Sequence, residues 1–308
     1  MTKKKMKAND SRFQMQQLGA GYKVFTAFNT LFLLLVIFIT AYPIYYVVAA
    51  SLSDATALTR NSSPLIFPLP PVSLTAYDLV FRNPLVLTGY LNTFIILIVG
   101  LAFNLGLTIV GAYCLSLKNA MLMKPVSYMI LFTMYFSGGM IPTYVLIRSL
   151  GMIDSLWSLI LPGAINTYNL LIMRSAFAAI PDSLYEAAYL DGASHPRIMA
   201  RIYVPLSGAT LAVMLLYYAV GHWNAWFNAS LYIRSAEKYP LQLVLRQILI
   251  MNENSNINAT LTDNGEQALY ADQIKYALIV VSTLPILILY PFLQKFFDKG
   301  VMIGALKG

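Results

Sequence analysis

The sequence predicts an all-α membrane protein with six transmembrane helices and with both termini in the cytoplasm. Three observations support this prediction: an apolar composition, long charge-free segments, and an uneven distribution of basic residues between those segments. The 308 residues are 58% hydrophobic and 11% charged, with a mean hydropathy of +0.64. Because ordinary soluble domains carry about 25% charged residues, a soluble fold could not bury this much apolar surface.

Six segments lack Asp, Glu, Lys and Arg and are long enough to cross about 30 Å of hydrocarbon at about 20 residues each. They are 24–53, 83–117, 125–147, 155–173, 202–233 and 276–294. The first segment has 30 residues, whereas the apolar core of a signal peptide has about 7–15, so we expect it to remain as a span. The chain then divides into a basic tail (1–23), a six-span domain (24–295) and a C-terminal tail (296–308).

The basic residues indicate the orientation of these spans. With the N-terminus inside, the inner segments hold 14 Lys and Arg and the outer segments hold seven. Lys and Arg concentrate on the cytoplasmic side of membrane proteins, so both termini are predicted to be cytoplasmic. The net charge of +8 is therefore attributed to membrane orientation, and no nucleic-acid partner is predicted.

Two longer segments are predicted to lie outside the membrane, on the side opposite the cytoplasm. Segment 54–82 contains SPLIFPLPP, whose prolines exclude a regular helix. Segment 235–272 runs from an amphipathic pattern into a polar stretch that we expect to form a loop and meet a partner. Towards the outer end of segment 202–233, Trp223, Trp226 and Phe227 are typical of aromatic rings at the lipid headgroups.

Spans three and four contain residues that interrupt membrane helices. These residues are Ser137, Gly138, Gly139 and Pro142 in span three, and Pro162, Gly163, Asn166 and Asn169 in span four. Such interruptions are tolerated where polar groups face protein or a water-filled cavity. A transport path near these spans and simple kinking of the helices both remain open.

A polar island, EAAYLDGASHPRIMARIYVP (186–205), separates spans four and five within the predicted cytoplasmic segment 177–206. Its pattern predicts two short helices joined by a tight turn. Ser183 and Glu186 match a capping box for the first helix, and Gly192 can adopt the positive φ that ends it. Pro196 is tolerated in the first turn of the second helix. The small residues Ala187, Ala188 and Ala193 would let a partner approach closely.

The chain lacks the common enzymatic and metal-binding motifs. It has no G-x-x-x-x-G-K-[ST] phosphate loop, no H-E-x-x-H, no G-x-S-x-G and no C-x-x-C. One cysteine, Cys114, excludes a disulfide framework within the chain, and His222 has no second ligand at metal spacing. The predicted spans also lack carboxylates, which many proton-coupled carriers use. We therefore predict no catalytic residue, no metal site and no cofactor bound by this chain.

The polar island resembles the EAA motif of membrane subunits of bacterial binding-protein-dependent ABC importers. The match comprises Glu186-Ala187-Ala188, then Asp191-Gly192-Ala193, then Ile202 and Pro205. The six spans, the sequence WNAWFNA, the sequence YPLQLVLRQIL and the ending FFDKGVMIGALKG are similar to maltose-type sugar permeases. The similarity is to the second permease subunit, in the subgroup for complex oligosaccharides or polysaccharides. Where the family often has a second Pro after Pro205, this chain has Ala209.

The resemblance implies a set of partners and roles. The hairpin would be the coupling helix that docks on an ATP-binding subunit, with Glu186 accepting a hydrogen bond, Asp191 and Gly192 forming the turn, and Ala187, Ala188, Ala193 and Pro205 completing the motif. Two ATP-binding subunits would bind ATP and Mg²⁺, a second permease would complete a heterodimeric pathway in the cell membrane, and an extracytoplasmic binding protein would deliver sugar. Candidate substrate-path residues are Asn166, Asn169 and Asn224. Candidate contacts to the binding protein are Asn252, Asn258 and Asp263.

Other classes of function remain as alternatives. A multispan receptor or channel with an effector-docking hairpin would signal or conduct without an ATPase, but the spans contain no recognisable ion filter. A membrane enzyme is disfavoured because no paired catalytic residues occur.

Overall fold

The computed structural model describes residues 20–61, 63–117, 122–259 and 273–288, with backbone alone at 20 and 251–259. All regular structure in these ranges is helical. The helices are α1 (Ala20–Leu52), α2 (Ala55–Arg60), α3 (Thr75–Arg82), α4 (Pro84–Ser116), α5 (Met123–Tyr135), α6 (Met140–Ser149), α7 (Trp157–Ile160), α8 (Thr167–Ala178), α9 (Asp182–Leu190), α10 (His195–Leu206), α11 (Gly208–Trp223), α12 (Phe227–Tyr232), α13 (Leu241–Ala259) and α14 (Gln273–Ile288). The prediction of an all-α membrane protein agrees with this architecture.

Two helices are long and apolar enough to cross a membrane without interruption. Both α1 and α4 have 33 residues, or about 50 Å at 1.5 Å per residue. Two bent pairs qualify if each pair is one span: α5 with α6, bent by 113°, and α10 with α11, bent by 86°. The described residues thus contain two to four candidate spans, and the count of six stays a prediction.

The predicted fourth span, 155–173, does not form one helix. It contains the short helix α7, an irregular segment at 161–166, and the first half of α8. The predicted third span is also broken, at 136–139, where Gly139 adopts φ 90° before α6 begins. Both breaks coincide with the clusters of Gly, Pro and Asn that the sequence places there.

Helix α4 is the centre of the fold, because α8, α11 and α13 all pack against it. One face of α4 is buried and is rich in small and polar residues; it comprises Val86, Gly89, Asn92, Thr93, Ile96, Gly100, Asn104, Thr108, Ala112, Tyr113 and Leu115. The opposite face exposes large apolar side chains such as Leu91 and Ile98. This polarity is typical of membrane helices, in which small residues permit close packing and lipid solvates the apolar face.

Apolar clusters lie towards the two ends of α4, and a polar layer lies between them. The cluster at the N-terminal end includes Val86, Trp223 and Leu278. The cluster at the C-terminal end includes Phe177 and Met214. The core therefore joins α13 to one end of α4 and α8 and α10 to the other, and α11 packs at both ends.

The polar layer satisfies backbone groups that the break at 161–166 releases. Asn104 is fully buried, and its Nδ2 donates to the carbonyl oxygens of Gly163 at 2.8 Å and Ala164 at 3.0 Å. The Asn166 N–H donates to the Tyr218 hydroxyl at 3.1 Å, and that hydroxyl is 2.8 Å from Thr108 Oγ1. An unpaired backbone group in hydrocarbon costs several kcal/mol, so these side chains from α4 and α11 make the break stable.

His222 completes the layer. Its Nε2 lies 2.6 Å from Asn104 Oδ1. Because Asn104 uses its amide nitrogen on the two carbonyls, its oxygen must accept here, so Nε2 of His222 carries the donated proton. The imidazole lies directly over Gly100, where an added Cβ would stand 2.6 Å from Nε2. The sequence interpretation of His222 as an isolated residue thus missed its partner on α4.

One other sequence prediction is corrected. Trp223 does not lie at the lipid headgroups: it is buried, and its Nε1 donates to the Ser282 carbonyl at 3.1 Å, joining α11 to α14. In segment 54–82 the proline-rich stretch 63–71 is not helical, as predicted, and α2 and α3 flank it. Phe227 is exposed, in line with the aromatic prediction, whereas Trp226 is half-buried.

We expect Gly100→Ala to lower the thermal unfolding midpoint of the detergent-solubilised protein. The new methyl would displace His222 and break its hydrogen bond to Asn104, at a cost of about 1–3 kcal/mol for overpacking. Gly106→Ala, in the same helix with open space around the Cβ position, is the matched control. Equal midpoints for both variants would contradict the role of this contact.

Candidate functional site

The polar island forms the predicted helical hairpin of α9 and α10. Helix α9 ends at Leu190, and Gly192 adopts φ 77° in the turn. The Gly192 N–H donates to the Tyr189 carbonyl and the Ala193 N–H to the Ala188 carbonyl, both at 3.0 Å. These two bonds define a Schellman motif. The turn therefore has one defined shape, and a side chain at Gly192 would be strained.

The predicted capping box is wrong. Helix α9 starts at Asp182, after Pro181 with φ −58° and ψ 133°, and no side chain caps it. Pro181, with its fixed φ, is the N-cap, so the helix starts two residues earlier than a Ser183 cap would place it, and Ser183 lies inside the helix. Asp182 lies in the first turn, where a negative charge suits the helix dipole. Glu186 is consequently exposed and makes no hydrogen bond or ion pair with any described residue.

The second helix continues past the hairpin through a widened π turn at Met199–Tyr203. Pro196 occupies its first turn, as predicted. Pro205 lies two residues after the end of the π turn, and the wider turn accommodates a proline that a regular α-helix would reject. The chain then bends sharply at Ser207 into α11.

One face of the hairpin is exposed, and the other packs against the rest of the protein. Ala188 and Ala193 are half-buried against the apolar cluster at the C-terminal end of α4. The exposed side is made by Leu184, Glu186, Ala187, Tyr189, Leu190 and Asp191. Leu190 is 86% exposed, and with Leu184 and Tyr189 it forms an exposed apolar part of the hairpin. The sequence prediction for this surface named the small residues and did not include these three larger ones.

Aromatic rings hold the hairpin on α4. The Tyr113 hydroxyl lies 3.1 Å from His195 Nδ1. The His195 ring is 6.0 Å from that of Tyr185, which stacks on Tyr189 at 5.9 Å. On its other side Tyr113 meets Tyr203 edge-on at 5.0 Å. The chain of rings connects the exposed surface of α9 with the buried C-terminal end of α4.

The three asparagines predicted for a substrate path do not form one cluster. Asn166 is exposed and caps α8, with its Oδ1 accepting from the Asn169 N–H at 3.1 Å. Asn169 is buried. Asn224 is exposed at the end of α11, where its Nδ2 donates to the Val220 carbonyl. Asn166 and Asn169 therefore adjoin the break, and no described hydrogen bond links Asn224 to them.

The segment predicted as a loop at 235–272 is helical from Leu241 to Ala259. The backbone at Asn252 and Asn258 belongs to α13, and Asp263 lies outside the described residues. The segment is fixed at its start: Asn92 Nδ2 donates to the Glu237 and Tyr239 carbonyls, and the Leu241 N–H donates to Thr93 Oγ1 at 2.9 Å.

Asp154 ties this start to the connection between α6 and α7. Its carboxylate accepts from Lys238 Nζ at 2.8 Å, from the Ser235 N–H and hydroxyl, and from the Arg234 N–H. Lys238 first, then Ser235 and Arg234, hold the pKa of the Asp154 carboxyl well below its usual range. These contacts also maintain Asp154 at φ 60°, a conformation uncommon for a residue with a side chain.

No group of His, Cys, Asp and Glu within the described ranges could hold a metal ion. The apolar helices, the broken spans packed on α4 and the exposed hairpin are the architecture of a helical membrane protein.

Known relatives then identify the family. The chain is 43% identical over 295 residues to Protein LplC of Bacillus subtilis, spanning 96% of this chain and 98% of that protein. It is 38% identical over 278 residues to the polygalacturonan/rhamnogalacturonan transport system permease protein YtcP of Bacillus subtilis, spanning 90% and 96%. The protein belongs to the family of sugar ABC transporter permeases, as its EAA motif suggested. In this family, ATP is hydrolysed by partner subunits.

Solved structures agree with this assignment. A chain of a bacterial ABC transporter that imports the acidic polysaccharide alginate superposes with a TM-score of 0.82 at 30% identity, covering 91% of this chain and 99% of that one. A chain of an alginate ABC transporter in complex with an alginate pentasaccharide-bound periplasmic protein shows the same fold, with a TM-score of 0.58 at 13% identity, covering 88% and 93%. No family model matches the sequence.

We expect Tyr113→Phe to loosen the hairpin without unfolding the protein. The variant keeps the ring contacts and loses the hydroxyl bond to His195, worth about 1 kcal/mol and so roughly a fivefold faster exchange of backbone amides. Hydrogen–deuterium exchange over 182–198 measures this change. Tyr128→Phe is the control, because Tyr128 is 74% exposed. Unchanged exchange in Tyr113→Phe would exclude the hydroxyl as an anchor.

Proposed function

We propose that this chain is one permease subunit of an ATP-driven importer for a carbohydrate, either an oligosaccharide or a polysaccharide fragment. It would couple closure of two ATP-binding subunits to alternating access through a pathway shared with a second permease. The observation that carries this proposal is the α9–α10 hairpin, whose rigid turn presents the free Glu186 carboxylate beside the exposed Leu190.

The hairpin has the two chemical elements of a docking surface. Leu190 supplies apolar area for a groove in the ATP-binding subunit, and Glu186 can accept a charge-assisted hydrogen bond. Ala187 leaves space between them, with Asp191 and Gly192 in the turn and Ala188 and Ala193 behind. Pro205 and the π turn lie where α10 leaves the hairpin. Movement of the docked subunit would reach α4 through the rings of Tyr185, His195 and Tyr113.

The proposed arrangement in the bacterial cytoplasmic membrane has six spans within 24–295. The hairpin segment 177–206 and the tails 1–23 and 296–308 would be cytoplasmic, and segments 54–82 and 235–272 would be outside. The most apolar stretch of helix α1 is not buried by the rest of the chain. This stretch is therefore available to pack against a second permease subunit in the membrane. ATP and Mg²⁺ would be bound by the ATP-binding subunits and not by this chain.

The break at 161–166 is the proposed location of a substrate path. Asn166 is exposed next to backbone that is not helical, as expected of a segment that lines a polar cavity in a membrane. Asn169 lies behind it, and Asn224 would contribute at the outer end of α11. The extracytoplasmic binding protein would contact 235–272, including Asn252, Asn258 and Asp263.

We expect Glu186→Ala to reduce affinity for the ATP-binding subunits about tenfold, the value of one hydrogen bond to a charged group. Gly192→Arg should abolish coupled transport, because φ 77° is strained for any side chain. Co-purification and sugar-stimulated ATP hydrolysis in proteoliposomes measure both effects. Asp78→Ala, an exposed carboxylate on α3 paired only with Arg82, is the control. Full transport by both hairpin variants would refute the coupling role.

Deletion of 252–265 should weaken stimulation of ATP hydrolysis by the binding protein, while co-purification with the ATP-binding subunits is retained. Glu186→Ala, assayed in parallel, should reduce that co-purification. If the deletion instead removes the ATP-binding subunits, segment 235–272 lies on the cytoplasmic side and the proposed orientation is wrong.

A further inference from the structure

An arginine lies over a tryptophan where α13 meets the start of α12. The Arg246 Cζ is 3.5 Å from the centroid of the Trp226 ring. Phe227 meets Trp226 edge-on, with centroids 5.5 Å apart and planes at 89°. Arg246 is exposed, Trp226 is half-buried and Phe227 is 48% exposed. The indole therefore holds the guanidinium at one place on the surface, and the exposed Phe227 ring lies next to the indole.

The guanidinium has no anionic partner among the described residues, and its N–H groups make no hydrogen bond there. On the proposed outer side, Asp54 accepts from the first turn of α2, Asp78 pairs with Arg82, and Asp154 pairs with Lys238. The exposed Glu237 carboxylate makes no ion pair with Arg246. A cation–π contact uses the face of the guanidinium and leaves the donors at its edge free. These donors match a carboxylate with two parallel hydrogen bonds.

The position of the pair is defined by its neighbours. Trp223, three residues before Trp226, contacts Tyr90 and Phe94 on α4. Leu241, which starts α13, is bonded to Thr93. Thr93 lies nine residues after Pro84, about 14 Å along α4. The pair thus lies towards the N-terminal end of α4, which is the outer end in the proposed orientation.

We propose that Arg246, Trp226 and Phe227 form a binding site for carboxylate-bearing sugars, that is, the uronate residues of an acidic oligosaccharide. The site rests on the proposed function and specifies its substrate class. A uronate combines an apolar C–H face, which packs on aromatic rings, with a carboxylate, which pairs with a guanidinium. Because the predicted spans carry no charge, a counter-charge at the entrance would offset the cost of removing a carboxylate from water.

The test uses the complete complex of permeases and ATP-binding subunits in lipid nanodiscs, without the binding protein. Binding of a galacturonate pentasaccharide and of its fully methyl-esterified form is measured by calorimetry. Esterification removes the charge and keeps the sugar rings. We expect the wild-type complex to bind the charged form at least about tenfold more tightly, which corresponds to about 1.4 kcal/mol.

Arg246→Gln should reduce this preference to less than about twofold, whereas Arg148→Gln, an exposed arginine on α6 outside the site, should leave it at the wild-type value. Arg246→Lys keeps the positive charge but cannot form a bidentate hydrogen bond with a carboxylate. We therefore expect it to lower the preference for the charged sugar by at least about threefold. If Arg246→Gln fails to assemble, Arg246→Lys decides the question, and an unchanged preference in that variant overturns the site.

Two further results would overturn the proposal. The wild-type complex could bind both sugars equally, or the preference for the charged sugar could persist in Arg246→Gln. Failure of the proposed function is a separate result: in that case no sugar would stimulate ATP hydrolysis by the wild-type complex with its binding protein. Loss of the site alone would leave that stimulation intact.

Discussion

The structure depends on one constraint: backbone polar groups within the membrane domain must find partners inside the protein. The break at 161–166 releases such groups between α7 and α8, and Asn104 and Tyr218 bind them. His222 in turn occupies the remaining acceptor of Asn104. These hydrogen bonds link the break, α4 and α11 into one unit. A shift of any one of the three would therefore break hydrogen bonds to the others.

Helix α4 connects this unit to both surfaces of the protein. Near its N-terminal end, Asn92 and Thr93 bind the backbone that leads into α13. Near its C-terminal end, Tyr113 binds His195 of the hairpin, and Leu115 accepts a hydrogen bond from Arg174 of α8. A helix about 50 Å long therefore links the hairpin, the polar break and the opposite surface through direct contacts. In the proposed function, this continuity would transmit movement of a subunit docked at the hairpin to the proposed substrate path.

The sequence was most informative where a local rule determines the structure. Gly192 and its turn, Pro196 in the first turn of α10, and the breaks after Phe136 and before Asn166 all follow from backbone preferences. It was least informative where distant residues decide. The aromatic-rich sequence around Trp223 is typical of the membrane interface, and only the packing of α14 shows that Trp223 is buried. The contact of His222 with Asn104 spans 118 positions, and the exposure of Leu190 depends on which face of α9 packs inwards.

The absence of carboxylates from α4, α8 and α11 restricts how this chain can use energy. Many proton-coupled carriers use a carboxylate that changes charge within the path, whereas the polar layer here consists of amides, hydroxyls and the His222 imidazole, which donates to Asn104. Such groups can stabilise one arrangement of helices or another, but they supply no free energy. In the proposed function, work enters from the ATP-binding subunits. Among the described elements, the hairpin combines a positive-φ turn at Gly192, an unpaired carboxylate and an exposed leucine with a direct connection to α4, which is why the proposal assigns the coupling to it.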